Sequence, residues 1–266
     1  MSLALIDIGA NLTHDSFDAD REAVITRARD IGVSRCIVTG SDLEHSRRAL
    51  EFCRHWPGIL YCTAGTHPHH AEDFSGDTPA HLRELLHEPA VVAVGECGLD
   101  FFRNFSSHQA QLSCFEAQLQ LAVETQKPVF LHQRDAHNDF MTLLKHYRSK
   151  LSYAVLHCFT GTHAELQDCL SMDLYIGITG WICDERRGSH LRTLVKQIPD
   201  NRLMLETDAP YLLPRDIHPR PAHHRNEPMY LRHICQVVAG CLGKTVDQLA
   251  KETTANACRF FGLQAG

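Results

Sequence analysis

Five segments of the chain end an apolar run in side chains that can hold a metal or move a proton. They read Gly65-Thr66-His67-Pro68-His69-His70, Gly95-Glu96-Cys97-Gly98-Leu99-Asp100, His132-Gln133-Arg134-Asp135, His157-Cys158-Phe159-Thr160-Gly161 and Glu206-Thr207-Asp208-Ala209-Pro210. Singly, a histidine at such a place also serves as an ordinary structural group. Jointly, imidazoles and carboxylates make a donor set that zinc, manganese or magnesium accepts. A divalent ion brings the pKa of a bound water toward neutrality and polarises a phosphoryl or carbonyl oxygen. Glu96, His132 and His157 are the candidate ligands, and Glu96 can ligate one ion or bridge two. Asp208 is the candidate general base for an attacking water, and could instead ligate a second ion. Glu206, two residues before it, shares its strand face.

Other residues offer supporting chemistry. His67 and His69 form His-x-His across a proline; His67 suits a phosphate contact or a proton donor to a leaving oxygen. Arg103, Arg134, Arg186, Arg187 and Arg225 lie in or near the expected loops, and guanidinium matches phosphate oxygens two at a time. Arg134 and Arg225 are the substrate-binding candidates. Phe101, Phe102, Phe105 and Trp181 can stack on bases or pack at a rim. His218, His223 and His224 sit in a Pro-rich stretch and receive no role.

These residues need a scaffold that brings strand ends together. Apolar runs recur at Leu3 to Ile8, Arg35 to Gly40, Leu60 to Gly65, Val91 to Gly98, Pro128 to His132, Tyr153 to His157, Leu174 to Gly180 and Leu203 to Asp208. Consecutive Val, Ile and Leu is the pattern of strands buried on both faces. Between them lie helical patterns, clearest over 107–127, where Leu112, Phe115, Leu119 and Ala122 draw one apolar stripe. Residues 19–31, 184–198 and 229–242 read similarly. Strands alternating with helices imply parallel pairing. Dividing the chain among eight units gives roughly 33 residues each, which predicts an α/β fold, a (β/α)8 TIM barrel, as a single domain over 1–266. In such a barrel the site lies at the C-terminal strand ends. The rival doubly wound sheet lacks a Gly-x-Gly-x-x-Gly turn after its first strand.

Composition narrows the function classes. The 266 residues are 44% hydrophobic and 22% charged, as in a soluble globular protein. The net charge of -6 argues against a broad nucleic-acid-binding face, so any nucleic acid is gripped in a local pocket. Eleven scattered cysteines without Cys-x-x-Cys read as reduced, buried thiols; a thiol nucleophile or zinc-thiolate site has no supporting spacing. No signal peptide and no run of about 18 apolar residues is present, which makes the cytoplasm the expected location, with no membrane partner.

The five segments, with Arg225-Asn226-Glu227-Pro228 and the stretch from Gly177 to Gly188, resemble the TatD family of metal-dependent deoxyribonucleases, within the amidohydrolase-like barrels. The similarity runs along nearly the whole chain. It implies a 3′-to-5′ exonuclease acting on the 3′ end of single-stranded DNA, with RNA as a further substrate, releasing 5′-mononucleotides with magnesium or a similar ion. The family's ligand pattern carries over to Glu96, His132 and His157, its strand-eight aspartate to Asp208, and its strand-three histidine to His67. One departure stands out. Where most of the wider family opens strand one with His-x-His, this chain has Gly9 and Asn11, and His14 is three residues too late to replace Asn11. One metal or two therefore both stay open. The expected protein is a monomer.

Two other readings share these residues. The same site on the same barrel permits hydrolysis of a lactone, amide, ester or phosphotriester, because fold does not fix function. Many amidohydrolases bridge their metals with a carboxylated lysine; no lysine ends an expected strand here, which favours the nuclease. A barrel without catalysis, serving as a scaffold, is supported only by the missing strand-one histidines.

Overall fold

The structure is a computed structural model that describes residues 4–264. Its strands are β1 Leu5–Ala10, β2 Val33–Val38, β3 Leu60–Ala64, β4 Val91–Asp100, β5 Val129–Arg134, β6 Ala154–Leu156, β7 Tyr175–Ile178 and β8 Leu203–Leu205. They form one sheet in sequential order, β1 to β8. β1 with β2, β3 with β4, β4 with β5, β5 with β6 and β7 with β8 pair in parallel. A parallel bridge joins Ala10 to Ala209, just past β8. The helices are α1 Arg21–Asp30, α2 Leu43–Arg54, α3 Thr78–Leu86, α4 His108–Thr125, α5 His137–Tyr147, α6 His163–Ser171, α7 Leu191–Leu194, α8 Leu231–Leu242 and α9 Val246–Phe261. This order of eight strands and intervening helices is that of the (β/α)8 barrel class expected from the sequence. The first expected run begins at Leu3, which lies outside the described residues.

The chain gathers into two compact units. One comprises Met1–Val38, Cys158–His163 and Ile176–Gly266; the other comprises Thr39–His157 and Ala164–Tyr175. In the second unit the strands are apolar on consecutive positions because α2 to α5 cover them. The stripe of α4 buries Phe115, Leu119 and Ala122, and Phe115 stacks on Phe140 of α5 with ring centroids 5.4 Å apart. Ser107 caps α4, accepting from Ala110 N. In the first unit Leu5 and Ile8 of β1, Phe17 and Ile25 are buried together with Ile234 and Val238 of α8.

β4 is the unusual strand. Gly95 and Gly98 both have positive φ, +135° and +144°. A Cβ at Gly95 would stand 2.3 Å from Phe130 O, and one at Gly98 would stand 1.9 Å from His132 O. Only glycine permits this approach of β4 to β5. Glu96 lies between the two glycines, and Gly98 pairs in register with His132.

The helix expected over 184–198 is shorter. A 3₁₀ turn spans Gly180–Cys183, α7 covers only Leu191–Leu194, and a second 3₁₀ turn follows at Val195–Gln197. The cause is local. Asp184 Oδ1 accepts from the backbone N–H of Arg186 (3.0 Å) and Arg187 (3.3 Å), a side-chain turn that competes with helix. All eleven cysteines are free thiols, eight of them buried. Among the described residues no helix is long and apolar enough to cross a membrane.

Candidate active site

The second unit gathers three of its sequence-selected histidines around one carboxylate, Glu96. Glu96 Oε1 lies 2.7 Å from His157 Nε2, 3.1 Å from His132 Nδ1 and 3.4 Å from His67 Nε2. A second carboxylate stands on the other side of His132. Asp100 Oδ2 meets His69 Nε2 at 2.8 Å and lies 3.5 Å from His132 Nε2. The backbone explains the pairing. Glu96 and Asp100 are four residues apart on β4, so they share a strand face, and the residue between them on that face is Gly98, which has no side chain to intervene.

Two buried glutamines of α4 fix the ends of β3 and β4. Gln118 Oε1 accepts from Thr66 N at 2.7 Å, and its Nε2 donates to Thr66 O at 2.9 Å. Gln111 makes the same double contact with Asp100, 2.8 Å to N and 3.1 Å to O. Thr66 precedes His67, so one helix face holds the backbone under both His67 and Asp100. The glutamines stand seven residues apart, on one side of the helix.

The electrostatics are those of buried anions held by imidazole. Burial pushes the Glu96 carboxyl up, but His157, His67 and His132 outweigh it and hold Glu96 well below the usual carboxylate range. Asp100 follows the same logic: burial raises it, while His132, His69 and the Arg103 backbone N–H bring it down further. Burial, the largest influence on His132, pulls its pKa down, but Asp100 and Glu96 raise it overall. His67 goes the other way. Burial dominates and holds it well below the ordinary histidine value, so it is neutral.

His67 also has a defined tautomer. Its Nδ1 accepts from His69 N at 3.1 Å, so in the neutral ring the proton is on Nε2, facing Glu96. Nε2 then donates and has no lone pair to lend. Geometry alone groups His67, Glu96 and His132 as a possible metal cluster, but this hydrogen bond favours His67 as a donor over a ligand. His132 differs: its buried Nε2 makes no hydrogen bond, because the 3.5 Å approach to Asp100 falls outside hydrogen-bond geometry. A buried ring nitrogen without a partner, beside an ionised carboxylate and a second imidazole, fits a divalent metal. The Glu96 cluster, in which the ligand atoms of His67, Glu96 and His132 lie within 4.8 Å of one another, is thus a candidate metal site, and His157 Nε2 meets the same Glu96 oxygen.

The loop after β4 carries two strongly exposed aromatic groups of this unit. Arg134, at the end of β5, stacks its guanidinium 3.8 Å from the Phe102 ring centre, and Phe102 is 52% exposed. Phe105, 65% exposed, meets the His69 ring edge-on at 4.8 Å.

The first unit holds the other candidates. Asp208 follows β8 with φ +55°. Its N–H donates to Gly9 O at 2.8 Å, and its Oδ1 accepts from Asn11 Nδ2 at 3.0 Å. Gly9 and Asn11, the two departures on strand one, therefore both contact Asp208, one at its backbone and the other at its side chain. Asp7, fully buried on β1, accepts from Thr207 N at 2.9 Å and from Thr207 Oγ1 at 2.6 Å. Glu206, also buried, accepts from Cys158 N at 2.5 Å. Arg225 is committed to an ion network: it donates to Asp20 at 2.8 Å and to Glu227 at 2.7 Å, and its guanidinium lies 4.8 Å from the Phe17 ring centre. Arg27 joins the same two carboxylates.

Three features of these sites are absent from the candidates that the sequence suggests. Asp100 was visible as the last residue of β4, on the face of Glu96. Gln111 and Gln118 were visible as polar residues seven apart within an apolar helix face. Asp7 was visible as a charge inside a run otherwise apolar.

The chain is similar to known proteins over nearly its whole length. A family model described as TatD related DNase matches residues 6–262. The 3′-5′ ssDNA/RNA exonuclease TatD of Erwinia tasmaniensis is 54% identical over 259 residues, covering 97% of this chain and all of that protein. The protein of the same name from Pantoea ananatis is 52% identical with the same coverage. Among solved structures, YJJV, a TatD homolog from Escherichia coli K12, is 28% identical with a TM-score of 0.89, over 99% of this chain and all of that one. With a match over nearly its full length and relatives above half identity, the chain belongs to the TatD-related DNase family.

Proposed function

We propose that this protein is a metal-dependent 3′-to-5′ exonuclease that hydrolyses single-stranded DNA and RNA to 5′-mononucleotides, with Mg2+ as the working ion. The observation that carries the reading is the convergence of His157, His132 and His67 on one oxygen of Glu96, in a chain whose full-length relatives are named 3′-5′ ssDNA/RNA exonucleases. Glu96, His132 and His157 would hold the ion. Bound there, it would polarise a phosphoryl oxygen and lower the pKa of the attacking water.

The side chains supply the rest. Asp208, oriented by Asn11, accepts the proton of the attacking water. The 3′ oxygen of the upstream sugar leaves, and the terminal nucleotide departs with its 5′ phosphate. His67, neutral and protonated at Nε2, donates a hydrogen bond to a phosphoryl oxygen. The neutral ring suits that role better than full proton transfer to the leaving oxygen, as its first proton is already lost. Phe102 with Arg134 offers a stacking face for a base and a cation for a phosphate. Arg225, with two carboxylates on it, serves by holding the loop around Glu227. A chain of net charge -6 would grip its substrate at this local group of cations and rings.

The test is single-stranded DNA labelled at its 5′ end, incubated with purified protein and Mg2+, with and without chelator. Stepwise shortening from the 3′ end, abolished by chelator, is expected. No shortening with metal demonstrably bound overturns the reading, and rapid turnover of neutral lactones beside it would favour the alternative hydrolase.

A further inference from the structure

A second set of ligand-type side chains lies in the first unit and shares no residue with the Glu96 cluster. Cys183 ends the 3₁₀ turn after β7, Asp216 lies in the long loop between β8 and α8, and His233 projects from the first turn of α8. The ligand atoms of the three all lie within 4.8 Å of one another. His233 Nε2 meets Asp216 Oδ1 at 2.6 Å. The other oxygen of that carboxylate, Oδ2, accepts from Arg192 Nη2 at 3.3 Å, while Arg192 Nε holds Ile182 O at 3.2 Å. The Cys183 side chain is fully buried, whereas Asp216 and His233 each keep about a quarter of their side-chain surface, 24% and 27%.

We propose that Cys183, Asp216 and His233 form a second metal site, which takes a zinc ion through one sulfur, one nitrogen and one carboxylate oxygen. Three observations support it. Sulfur, imidazole and carboxylate together are a donor set suited to zinc, and the thiolate selects against magnesium or calcium. The carboxylate already has a partner for its outer oxygen in Arg192, which is the arrangement that orients a ligating carboxylate. The site is closed on the Cys183 side and open to solvent beside Asp216 and His233, so an ion can arrive and a water can complete a tetrahedral shell.

The charge balance is favourable. Burial and the neighbouring Asp216 push the Cys183 thiol well up, so without metal it stays protonated. Zinc deprotonates a coordinating thiol. The ion would displace the thiol proton, while the His233 ring would ligate through Nε2 and carry its own proton on Nδ1. Thiolate and carboxylate then neutralise its two positive charges, and Arg192 stays on the outer oxygen. The reward is order. The segment 206–227 has no helix or strand, and loops of that length need an anchor or a function. A zinc ion would tie its Asp216 to α8 and to the turn that carries Trp181.

Cobalt reports on this site alone, because only a sulfur ligand gives a sulfur-to-cobalt charge-transfer band, and the Glu96 cluster has nitrogen and oxygen donors. Metal-depleted full-length protein is titrated with Co2+ and followed by ultraviolet-visible absorption. The expected result is a charge-transfer band saturating at one equivalent, absent in Cys183→Ser and weakened in His233→Gln, with circular dichroism showing each variant folded. Zinc added afterwards should bleach the band, and zinc content should fall by one ion per chain in Cys183→Ser. A wild-type protein without the band overturns the proposal, and so does a band that survives in Cys183→Ser.

Discussion

Asn11 donates its side-chain amide to Asp208 across 3.0 Å. One of the two residues that depart from the wider family's strand-one pattern therefore hydrogen-bonds the proposed base. Replacing it with alanine removes a hydrogen bond to a carboxylate, worth about 1.5–3 kcal/mol. Asn11→Ala should lower kcat roughly ten- to a hundredfold, leaving the metal content of the Glu96 cluster unchanged. Steady-state kinetics on single-stranded DNA, paired with metal analysis, measure both. An unchanged kcat would remove Asn11 from the mechanism.

Glu96 has three imidazoles on one oxygen. Glu96→Gln keeps the shape and removes the charge those rings surround. Activity should fall by at least about 10³, because several kcal/mol of electrostatic stabilisation is lost. Metal bound per chain should fall with it. Elemental analysis of the dialysed variant checks this, and full metal occupancy in Glu96→Gln would assign the ion elsewhere.

Arg134 and Phe102 should act on binding. Base stacking on an aromatic ring is worth about 1–3 kcal/mol, so Phe102→Ala is expected to raise KM for a single-stranded oligonucleotide about tenfold with kcat preserved. Arg134→Lys should recover little of the loss in Arg134→Ala, since an ammonium cannot stack on Phe102 as a planar guanidinium does. Equal kcat losses in all three variants would point to the chemical step instead.

Asp7 predicts a pH dependence of stability. Burial pushes its carboxyl up to about 8, outweighing the hydrogen bonds from Thr207 and Gly9. Between the unfolded value near 4 and about 8, the folded state keeps a proton that the unfolded state has lost. Stability is therefore full below that window and falls as pH rises through it, by up to about 1.4 kcal/mol per pH unit. Asp7→Asn presents the same shape without a titrating proton. Urea unfolding at several pH values from 5 to 8 should show a shallower slope for Asp7→Asn than for the wild type; parallel slopes would mean Asp7 is ionised in the fold.

The eight strands were legible because burial on both faces writes consecutive apolar residues, as in Val129 to Leu131. Glu96, His132 and His157 were legible because each interrupts such a run at its end. The 184–198 segment reads as one helix because its apolar spacing is helical, while in the fold Asp184 captures the following backbone N–H groups. The His67 tautomer was beyond sequence, since it depends on which ring nitrogen meets the His69 backbone. The partnership of Asp100 with His69 likewise requires that two strands meet.

The two glycines that flank Glu96 bear on how this centre can change. Their Cβ atoms would collide with the backbone of β5, at Phe130 and His132, so the spacing of acid and imidazole depends on atoms that are missing. Such a strand has no neutral neighbours through which to drift. A laboratory library at these two positions should yield almost no survivors, whereas one at Phe102 and Phe105 should yield many. New specificity in this scaffold would then be recruited from the exposed rings after β4, with the acid and its two bare neighbours inherited unaltered.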